Sequence, residues 1–261
     1  MPRNIEQLID CINFCQEQGI NYKPIGNCTN TVFSDDGYRG IIISTRLLNN
    51  LTISDSQVII DCGLSLSRAS SMLARDGVYL PPELYGIPGT CGGMVRNNAG
   101  AFGVCTADIL VWGLFYDTES KHVLKLSKEE IDFSYRSSIL FKKPLVLLQA
   151  CFKTIASDKA SFIESINYCK RKRLSTQPTL PSLGSFYKRD GRIIPPILIE
   201  ELGLKGYSVG GAGISEKHAG FIVNNGYATF ADILSLAKYI EARVFDSYGI
   251  RLLREAELVQ C

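Results

Sequence analysis

The stretch from Gly86 to Gly103, GIPGTCGGMVRNNAGAFG, constrains the fold more than any other part of the chain. Six of its eighteen residues are glycine, and bulky side chains are almost absent. Glycine loses more backbone entropy on folding than other residues, so such a cluster indicates positive φ angles or a backbone that approaches another group closely. Two interpretations stay open: a cradle of backbone N–H groups for phosphate oxygens, or a tight crossing of two packed elements.

A second turn that contains glycine follows a predicted strand from Tyr22 to Ile25, in the sequence GNCTNTVFSDDGYRG. Gly26, Thr29 and Asn30 offer backbone amides and side-chain hydrogen bonds to a phosphate group. A plain loop is the alternative. The Gly86 to Gly103 stretch itself contains neither Gly-x-Gly-x-x-Gly nor Gly-Lys-Ser/Thr, so the two common nucleotide-binding motifs are absent there.

Composition excludes several classes of function. The 261 residues, 46% of them apolar, are enough to bury one large core or two to three smaller ones. A formal net charge of +2 gives no electrostatic basis for binding nucleic acid or a membrane surface. No apolar run approaches the ~20 residues of a membrane-spanning helix, and the start, MPRNIEQLID, lacks the layout of a signal peptide. We therefore expect a cytoplasmic protein.

The nine cysteines include no Cys-x-x-Cys pair and accompany no export signal, so we expect reduced thiols. There are two histidines, and no group of cysteines and histidines has the spacing of metal ligands. We expect no metal site.

Hydrophobic periodicity predicts helices and strands that are mixed without strict alternation, which indicates an α+β fold. The clearest elements are an apolar strand from Pro144 to Thr154 and a helix from Thr229 to Phe245 that begins with the capping pair Thr229 and Asp232. Ser127 and Glu130 have the same capping spacing, which predicts that a short helix starts there.

Three polar residues admit both a structural and a chemical interpretation. Arg136 lies in YRSS before the apolar strand, where an ordinary surface arginine is the alternative. Ser185 comes directly after the segment STQPTLPSLG, where a turn serine that bonds its own backbone is the alternative. Glu255 lies among apolar residues of a predicted terminal strand, so its carboxylate either points to solvent by alternation or is held at a site.

These segments together resemble the bacterial UDP-N-acetylenolpyruvoylglucosamine reductases, flavoenzymes of peptidoglycan synthesis. Gly86 to Gly103 is similar to the family's GIPG-x-x-GG-x-x-x-x-NAGA-aromatic-G signature, and Phe133 to Ser138 to its Phe-x-Tyr-Arg-x-Ser motif. Gly184 to Lys188 resembles Gly-Ser-x-Phe-Lys, and Gly249 to Glu255 resembles the C-terminal Gly-Ile-x-Leu-x-x-Glu motif. The segment GGAGISEKHAGFIVN, Gly210 to Asn224, matches a further family motif almost throughout.

The resemblance implies a two-lobed FAD-binding domain of the vanillyl-alcohol-oxidase/PCMH type, followed by a C-terminal α+β substrate domain. The expected boundaries are residues 1–44 for a truncated first FAD lobe, 45–155 for the second lobe and 156–261 for the substrate domain. The implied substrate-binding residues are Lys188, Lys217, His218 and Asn224. The implied FAD-binding residues are Gly26, Asn27, Cys28, Thr29, Asn30, Gly86, Ile87, Pro88, Gly89, Thr90, Gly92, Gly93, Asn98, Gly100, Ala101 and Gly103.

The reaction that the resemblance implies is reduction of UDP-N-acetylglucosamine enolpyruvate to UDP-N-acetylmuramate. NADPH passes a hydride to FAD, and the reduced flavin passes it to the vinyl carbon of the substrate. Addition of hydride leaves an enolate, whose charge a fixed cation such as Arg136 stabilises. Ser185 is implied as the hydroxyl that delivers a proton to the adjacent carbon, with Glu255 as a proton-sharing partner.

The chain also departs from the family pattern. Family members usually begin with an additional strand that carries a Thr-x-x-x-x-Gly-Gly element, and here Asn27 and Cys28 replace two glycines of the first phosphate loop. Two alternatives follow: a degenerate member that acts as a non-catalytic binding module, or a flavin oxidase of the same fold with another substrate. We expect FAD and NADPH as cofactors, the nucleotide sugar as substrate, and no nucleic-acid, membrane or obligate protein partner.

Overall fold

The computed structural model describes residues 1–260. The first two thirds of the chain carry five helices and ten strands. In chain order they are α1 (Ile5–Glu17), β1 (Tyr22–Ile25), β2 (Thr31–Phe33), β3 (Ile41–Ser44), β4 (Leu51–Ser54), β5 (Gln57–Asp61), α2 (Leu66–Leu73), α3 (Cys91–Arg96), β6 (Gly100–Ala101), β7 (Val104–Cys105), α4 (Thr106–Ile109), β8 (Leu110–Asp117), β9 (His122–Ser127), β10 (Leu145–Lys153) and α5 (Lys159–Thr176).

The remaining described residues add two helices and five short strands. They are β11 (Ser182–Ser185), α6 (Pro195–Glu201), β12 (Ser208–Val209), β13 (Ala212–Ile214), β14 (Phe221–Asn224), α7 (Phe230–Tyr248) and β15 (Glu257–Val259). No helix among residues 1–260 combines the length and the apolar character needed to cross a membrane.

The chain divides into two compact units, and neither is continuous in sequence. The first comprises residues 1–27 and 40–170, and the second comprises residues 28–39 together with residue 171 onward. The division into 1–44, 45–155 and 156–261 that the resemblance implied stays a prediction.

The first unit is built on a five-stranded antiparallel sheet in the order β4-β5-β10-β8-β9. The central strand β10 is the apolar segment from which the sequence predicted a strand, and it is bonded on both sides because β5 and β8 flank it. Buried side chains of the sheet, of α1, α2 and α3 form one apolar core. A separate parallel pair, β1 with β3, delivers the chain to Gly26.

The second unit contains a four-stranded antiparallel sheet in the order β11-β14-β13-β12 and a parallel pair of β15 with β2. Helix α7 contributes Leu236, Ala237, Ile240 and Val244 to its core. Strand β2 comes from the short 28–39 segment. This unit therefore combines a segment near the start of the chain with the residues from 171 onward.

The two predicted capping pairs have different outcomes. Thr229 and Asp232 form a complete capping box, and α7 runs from there for nineteen residues. Ser127 and Glu130 also exchange both capping hydrogen bonds, at 2.8 and 3.3 Å, but no helix follows. The prediction of a helix there is wrong: Asp132 has a left-handed φ of +50°, and the segment ends after a single turn.

Candidate active site

The Gly86 to Gly103 stretch forms a turn, the short helix α3 and the hairpin of β6 with β7. Two backbone hydrogen bonds at the start of α3 fix it to the core of the first unit. The Cys91 N–H donates to the Leu64 carbonyl, and the Gly92 N–H donates to the Cys62 carbonyl, each at 2.8 Å. Part of the glycine content therefore serves close packing, as the structural interpretation predicted.

Gly26 and the glycine-rich turn touch each other within the first unit. A Cβ atom added to Gly26 would lie 2.2 Å from the Oγ1 atom of Thr90, a contact that no side chain can make. Thr90 itself is 2% exposed and precedes the first residue of α3. The end of β1 and the start of α3 thus come together at a point where only glycine fits.

Gly93 differs from its neighbour Gly92 in what surrounds it. A Cβ on Gly92 would lie 3.2 Å from the Cys62 carbonyl oxygen, so packing explains that glycine. Among the glycines without a positive φ, Gly93 is the one where an added Cβ would meet nothing nearer than 4.0 Å, the Thr90 Oγ1 atom. The chain's own packing gives no reason for glycine at this position, whereas a ligand that lies against the backbone does. This open position beside Thr90 and Gly26 fits the phosphate groups of a dinucleotide such as FAD.

The second unit includes Cys28, Thr29 and Asn30, which directly precede its first strand, β2. Cys28 has a φ of +52°, a conformation that the glycine it replaces adopts without strain. The Asn30 side-chain amide donates to the Glu255 carbonyl at 2.9 Å, and the Asn30 carbonyl accepts from the Glu257 N–H at 2.9 Å. Asn30 therefore holds the segment that carries a predicted catalytic carboxylate, a role that sequence reasoning missed.

Arg136 sits at the third position of a tight turn from Ser134 to Ser137, which is closed by two backbone hydrogen bonds. Its φ is +52°, a value that glycine or asparagine usually supplies at this place in a turn. The guanidinium donates to the carbonyls of Asn98 and Gly100, both at 3.3 Å. Strained backbone of this kind costs about 1–3 kcal/mol and is found preferentially at functional sites.

Asn98 ties the same two segments together from the other side. Its side-chain amide donates to the Ser134 carbonyl at 3.0 Å, and its Oδ1 atom accepts from the Ala107 N–H at 3.0 Å. The Arg136 guanidinium thus contacts the backbone carbonyls of the predicted FAD-binding residues Asn98 and Gly100. The Asn98 side chain is itself hydrogen-bonded to the backbone of other residues.

Ser185 ends strand β11, one residue after Gly184, whose φ is +75°. The pairing of β11 with β14 shifts register between Ser182 and Ser185, and such a bulge redirects the following side chain. Among the hydrogen bonds within residues 1–260, none involves the Ser185 hydroxyl. The interpretation of Ser185 as a turn serine that bonds its own backbone therefore does not hold.

Glu255 lies beside the Ser185 segment within the second unit. The Glu255 N–H donates to the carbonyl of Phe186, the residue after Ser185, at 2.8 Å. An antiparallel bridge joins Tyr187 to Arg254, and the Lys188 N–H donates to the Leu253 carbonyl at 2.8 Å. Ser185 and Glu255, which lie seventy positions apart in sequence, are thus brought to adjacent backbone segments.

The four predicted substrate-binding residues all lie in the second unit, and each has a hydrogen-bond partner there. Lys217 donates through Nζ to the Leu174 carbonyl near the end of α5, at 2.5 Å. Asn224 accepts hydrogen bonds from the Gly226 and Ala228 N–H groups through its Oδ1 atom. Lys188 is half-buried in the segment that pairs with Leu253.

His218 is half-buried, and its Nδ1 atom accepts a hydrogen bond from the Gly220 N–H at 3.0 Å. Burial lowers the pKa of His218, and the nearby positive charges of Lys205 and Arg189 lower it further. With Nδ1 as an acceptor, the neutral ring carries its proton on Nε2, which leaves that atom as a donor for a ligand.

We expect His218 to make the protein less stable as the pH falls below about 6.5, the ordinary pKa of histidine. Because its folded-state pKa is lowered, the unfolded chain binds the proton more readily, so acid favours unfolding. The urea midpoint should fall between pH 7.5 and pH 5.5 in the wild type and fall less in His218→Asn. His122→Asn, which removes the exposed second histidine, serves as the control and should keep the wild-type loss. Equal losses in wild type and His218→Asn would contradict the prediction.

Comparison with known proteins identifies the family. Residues 177–259 match the family described as "UDP-N-acetylenolpyruvoylglucosamine reductase, C-terminal domain", and residues 1–123 match the family "FAD binding domain". The chain is 37% identical to the UDP-N-acetylenolpyruvoylglucosamine reductase of Caldicellulosiruptor saccharolyticus over 261 residues, which cover 99% of this chain and 84% of that protein. The chain belongs to the UDP-N-acetylenolpyruvoylglucosamine reductase family.

Other members of this reductase family agree. The enzyme of Caldanaerobacter subterraneus subsp. tengcongensis is 35% identical over 260 residues, with 99% of this chain and 86% of that protein covered. The crystal structure of UDP-N-acetylenolpyruvylglucosamine reductase from Thermus caldophilus superimposes with a TM-score of 0.80 at 28% identity, over 97% of this chain and 89% of that one. The α+β fold with an FAD-binding domain is confirmed, and so is the family that the sequence motifs indicated. The roles of the individual site residues stay predictions.

Proposed function

We propose that this chain is the FAD-dependent reductase that converts UDP-N-acetylglucosamine enolpyruvate to UDP-N-acetylmuramate in peptidoglycan synthesis, with NADPH as reductant. The observation that carries the proposal is the reductase family match over 99% of the chain. The contact between the Ser185 and Glu255 segments supports it, because the reaction needs a proton donor and a carboxylate on neighbouring segments. A non-catalytic binding module and an oxidase with another substrate are not favoured by these relatives.

The proposed FAD contacts are the sixteen residues named from the two glycine-rich segments. Within the first unit, the close approach of Gly26 to Thr90 and the open position at Gly93 support the placement of the pyrophosphate there. When bound, FAD supplies the hydride transfer that no amino-acid side chain performs.

The chain's own residues would handle the charge and the proton. Arg136, held by the Asn98 and Gly100 carbonyls, would present a fixed cation to the developing enolate of the substrate. The Ser185 hydroxyl, with no hydrogen bond among residues 1–260, would keep its proton available for the adjacent carbon. Glu255 would share that proton. Lys188, Lys217, His218 and Asn224 would bind the nucleotide sugar, the two lysines through its phosphate groups.

The purified protein should be yellow and should oxidise NADPH only when UDP-N-acetylglucosamine enolpyruvate is present. Arg136→Gly should lower the rate of this reaction by ~10²–10³-fold, the cost of losing one charge-stabilising group. Because glycine adopts a φ of +52° without strain, the variant should keep its melting temperature within a few degrees.

Each other outcome contradicts the proposal in a recognisable way. A colourless protein that no added FAD turns yellow would indicate the binding module. Oxygen consumption without the nucleotide sugar would indicate the oxidase. The cytoplasmic location stays a prediction.

A further inference from the structure

A two-point ion pair lies immediately beside Glu255. Arg254 Nε contacts Glu241 Oε1 at 2.5 Å, and Arg254 Nη2 contacts Glu241 Oε2 at 2.8 Å. The two side chains are 29% and 27% exposed, so water reaches the pair only in part. Glu241 belongs to α7, so this contact fixes the segment of Glu255 to the longest helix of the second unit.

The Ser185 segment is attached to α7 as well. Tyr187, two residues after Ser185, is buried and donates through its hydroxyl to the Ala237 carbonyl of α7 at 3.0 Å. Burial raises the pKa of the Tyr187 hydroxyl, and the negative charge of Glu241 raises it further. Tyr187 and Arg254 are themselves paired across the bridge that joins the two segments.

We propose that Glu241 is a positioning residue, which holds the Ser185 and Glu255 segments in register on α7 for proton transfer to the substrate. The inference rests on the proposed function, because it assigns a task to that same site. Glu241 lies outside the motifs that the sequence shares with the reductase family, and Arg254 occupies a variable position of the C-terminal motif.

The geometry assigns this role to the carboxylate because it binds the Arg254 side chain at two points from α7. Backbone bonds join residues 186–188 to 253–255, the Phe186 N–H donates to the Gly220 carbonyl, and the Asn30 side chain donates to the Glu255 carbonyl. These bonds attach the two segments to each other and to neighbouring loops and strands, whereas Arg254 through Glu241 and Tyr187 through the Ala237 carbonyl attach them to α7. A partly exposed ion pair contributes little to the free energy of unfolding, whereas a displacement of about 1 Å at a reacting group costs up to ~10²-fold in rate.

The test is Glu241→Gln in the FAD-loaded enzyme. Glutamine keeps the size of the side chain but removes the charge that holds Arg254. Flavin content and reduction of the flavin by NADPH should stay at wild-type values, while reoxidation by the nucleotide sugar slows by roughly 10- to 100-fold with little change in KM. Arg254→Gln should have a similar effect, and the double variant should be no slower than either single one, because both changes break the same contact.

Amide hydrogen exchange gives a readout that does not depend on activity. The Lys188 and Glu255 amides bridge the two segments, so they should exchange faster in Glu241→Gln. The amides that pair β13 with β14 should be unchanged. Arg243→Gln is the matched control, because it breaks a polar contact with Tyr239 on the same helix and touches neither segment; it should behave as wild type in both measurements.

Wild-type reoxidation and wild-type exchange in Glu241→Gln would overturn the inference. If Glu241→Gln fails to fold, Arg254→Lys replaces it, since lysine keeps the charge but cannot make the two-point contact; an unchanged reoxidation rate in that variant would also overturn it. If the wild-type enzyme itself is not reoxidised by the nucleotide sugar, the proposed function fails, and the exchange measurement still decides whether Glu241 holds the two segments.

Discussion

Ser185→Ala should leave reduction of the bound flavin by NADPH near the wild-type rate and slow reoxidation by UDP-N-acetylglucosamine enolpyruvate by ~10²–10⁴-fold. The two steps separate because only the second one involves a carbon that must receive a proton. The Ser185 hydroxyl has no hydrogen bond within residues 1–260, so its removal leaves no partner unsatisfied and should change the melting temperature little. Stopped-flow absorbance of the flavin follows both steps in one sample.

Two further variants make this test specific. Ser185→Cys keeps a transferable proton and should recover part of the lost rate. Ser182→Ala, at the other end of β11, removes a hydroxyl of the same strand and should reoxidise like wild type. Reoxidation at full speed in Ser185→Ala would rule out the proton-donor role.

Gly93→Leu should abolish retention of FAD, and Gly93→Ala should weaken FAD binding while it stabilises the flavin-free protein. An alanine Cβ meets nothing nearer than 4.0 Å among the described residues 1–260, and replacing glycine by alanine within a helix adds about 0.5–1 kcal/mol of stability. If FAD lies against this backbone, the same methyl group occupies its place. Flavin absorbance after gel filtration and a urea titration of the flavin-free protein measure the two effects separately.

Gly92→Ala is the matched control for the stability effect of Gly93→Ala, because the family signature contains both glycines but only Gly92 is closely packed. Its Cβ would lie 3.2 Å from the Cys62 carbonyl oxygen, so it should destabilise the flavin-free protein instead. A wild-type flavin content in Gly93→Leu would show that FAD does not approach this position.

Sequence patterns over a few neighbouring residues predicted several helices and strands correctly. Strand β1 has the predicted bounds Tyr22 to Ile25, and α7 begins with its predicted capping box. The segment after Ser127 shows the limit of such reasoning: the capping bonds form, but a left-handed residue at Asp132 ends the turn. The residue type alone does not predict this left-handed conformation, since aspartate also occurs within helices.

Contacts between distant residues explain what the sequence left open at the candidate site. The motifs pointed to Arg136, but its positive φ and its bonds to the Asn98 and Gly100 carbonyls arise only when the two segments pack. Asn30 was expected at a phosphate loop, which stays a prediction, and its side-chain amide donates to the carbonyl of Glu255, 225 residues away. The sequence did not point to Glu241, because acidic residues are common on helix surfaces. Its contact with Arg254 arises only in the folded chain.

The parallel pairing of β2 with β15 has a consequence for how the protein is made. Thr31 lies opposite Glu257, a separation of 226 residues. At the ~5–20 residues per second of protein synthesis, β2 leaves the ribosome roughly 10–45 s before its partner strand exists. The Asn30 side chain is synthesised about as long before Glu255, whose carbonyl it binds. The strands of the first unit's sheet all precede residue 154, whereas the carboxylate at the candidate site comes into place only after residues 255–259 have been synthesised.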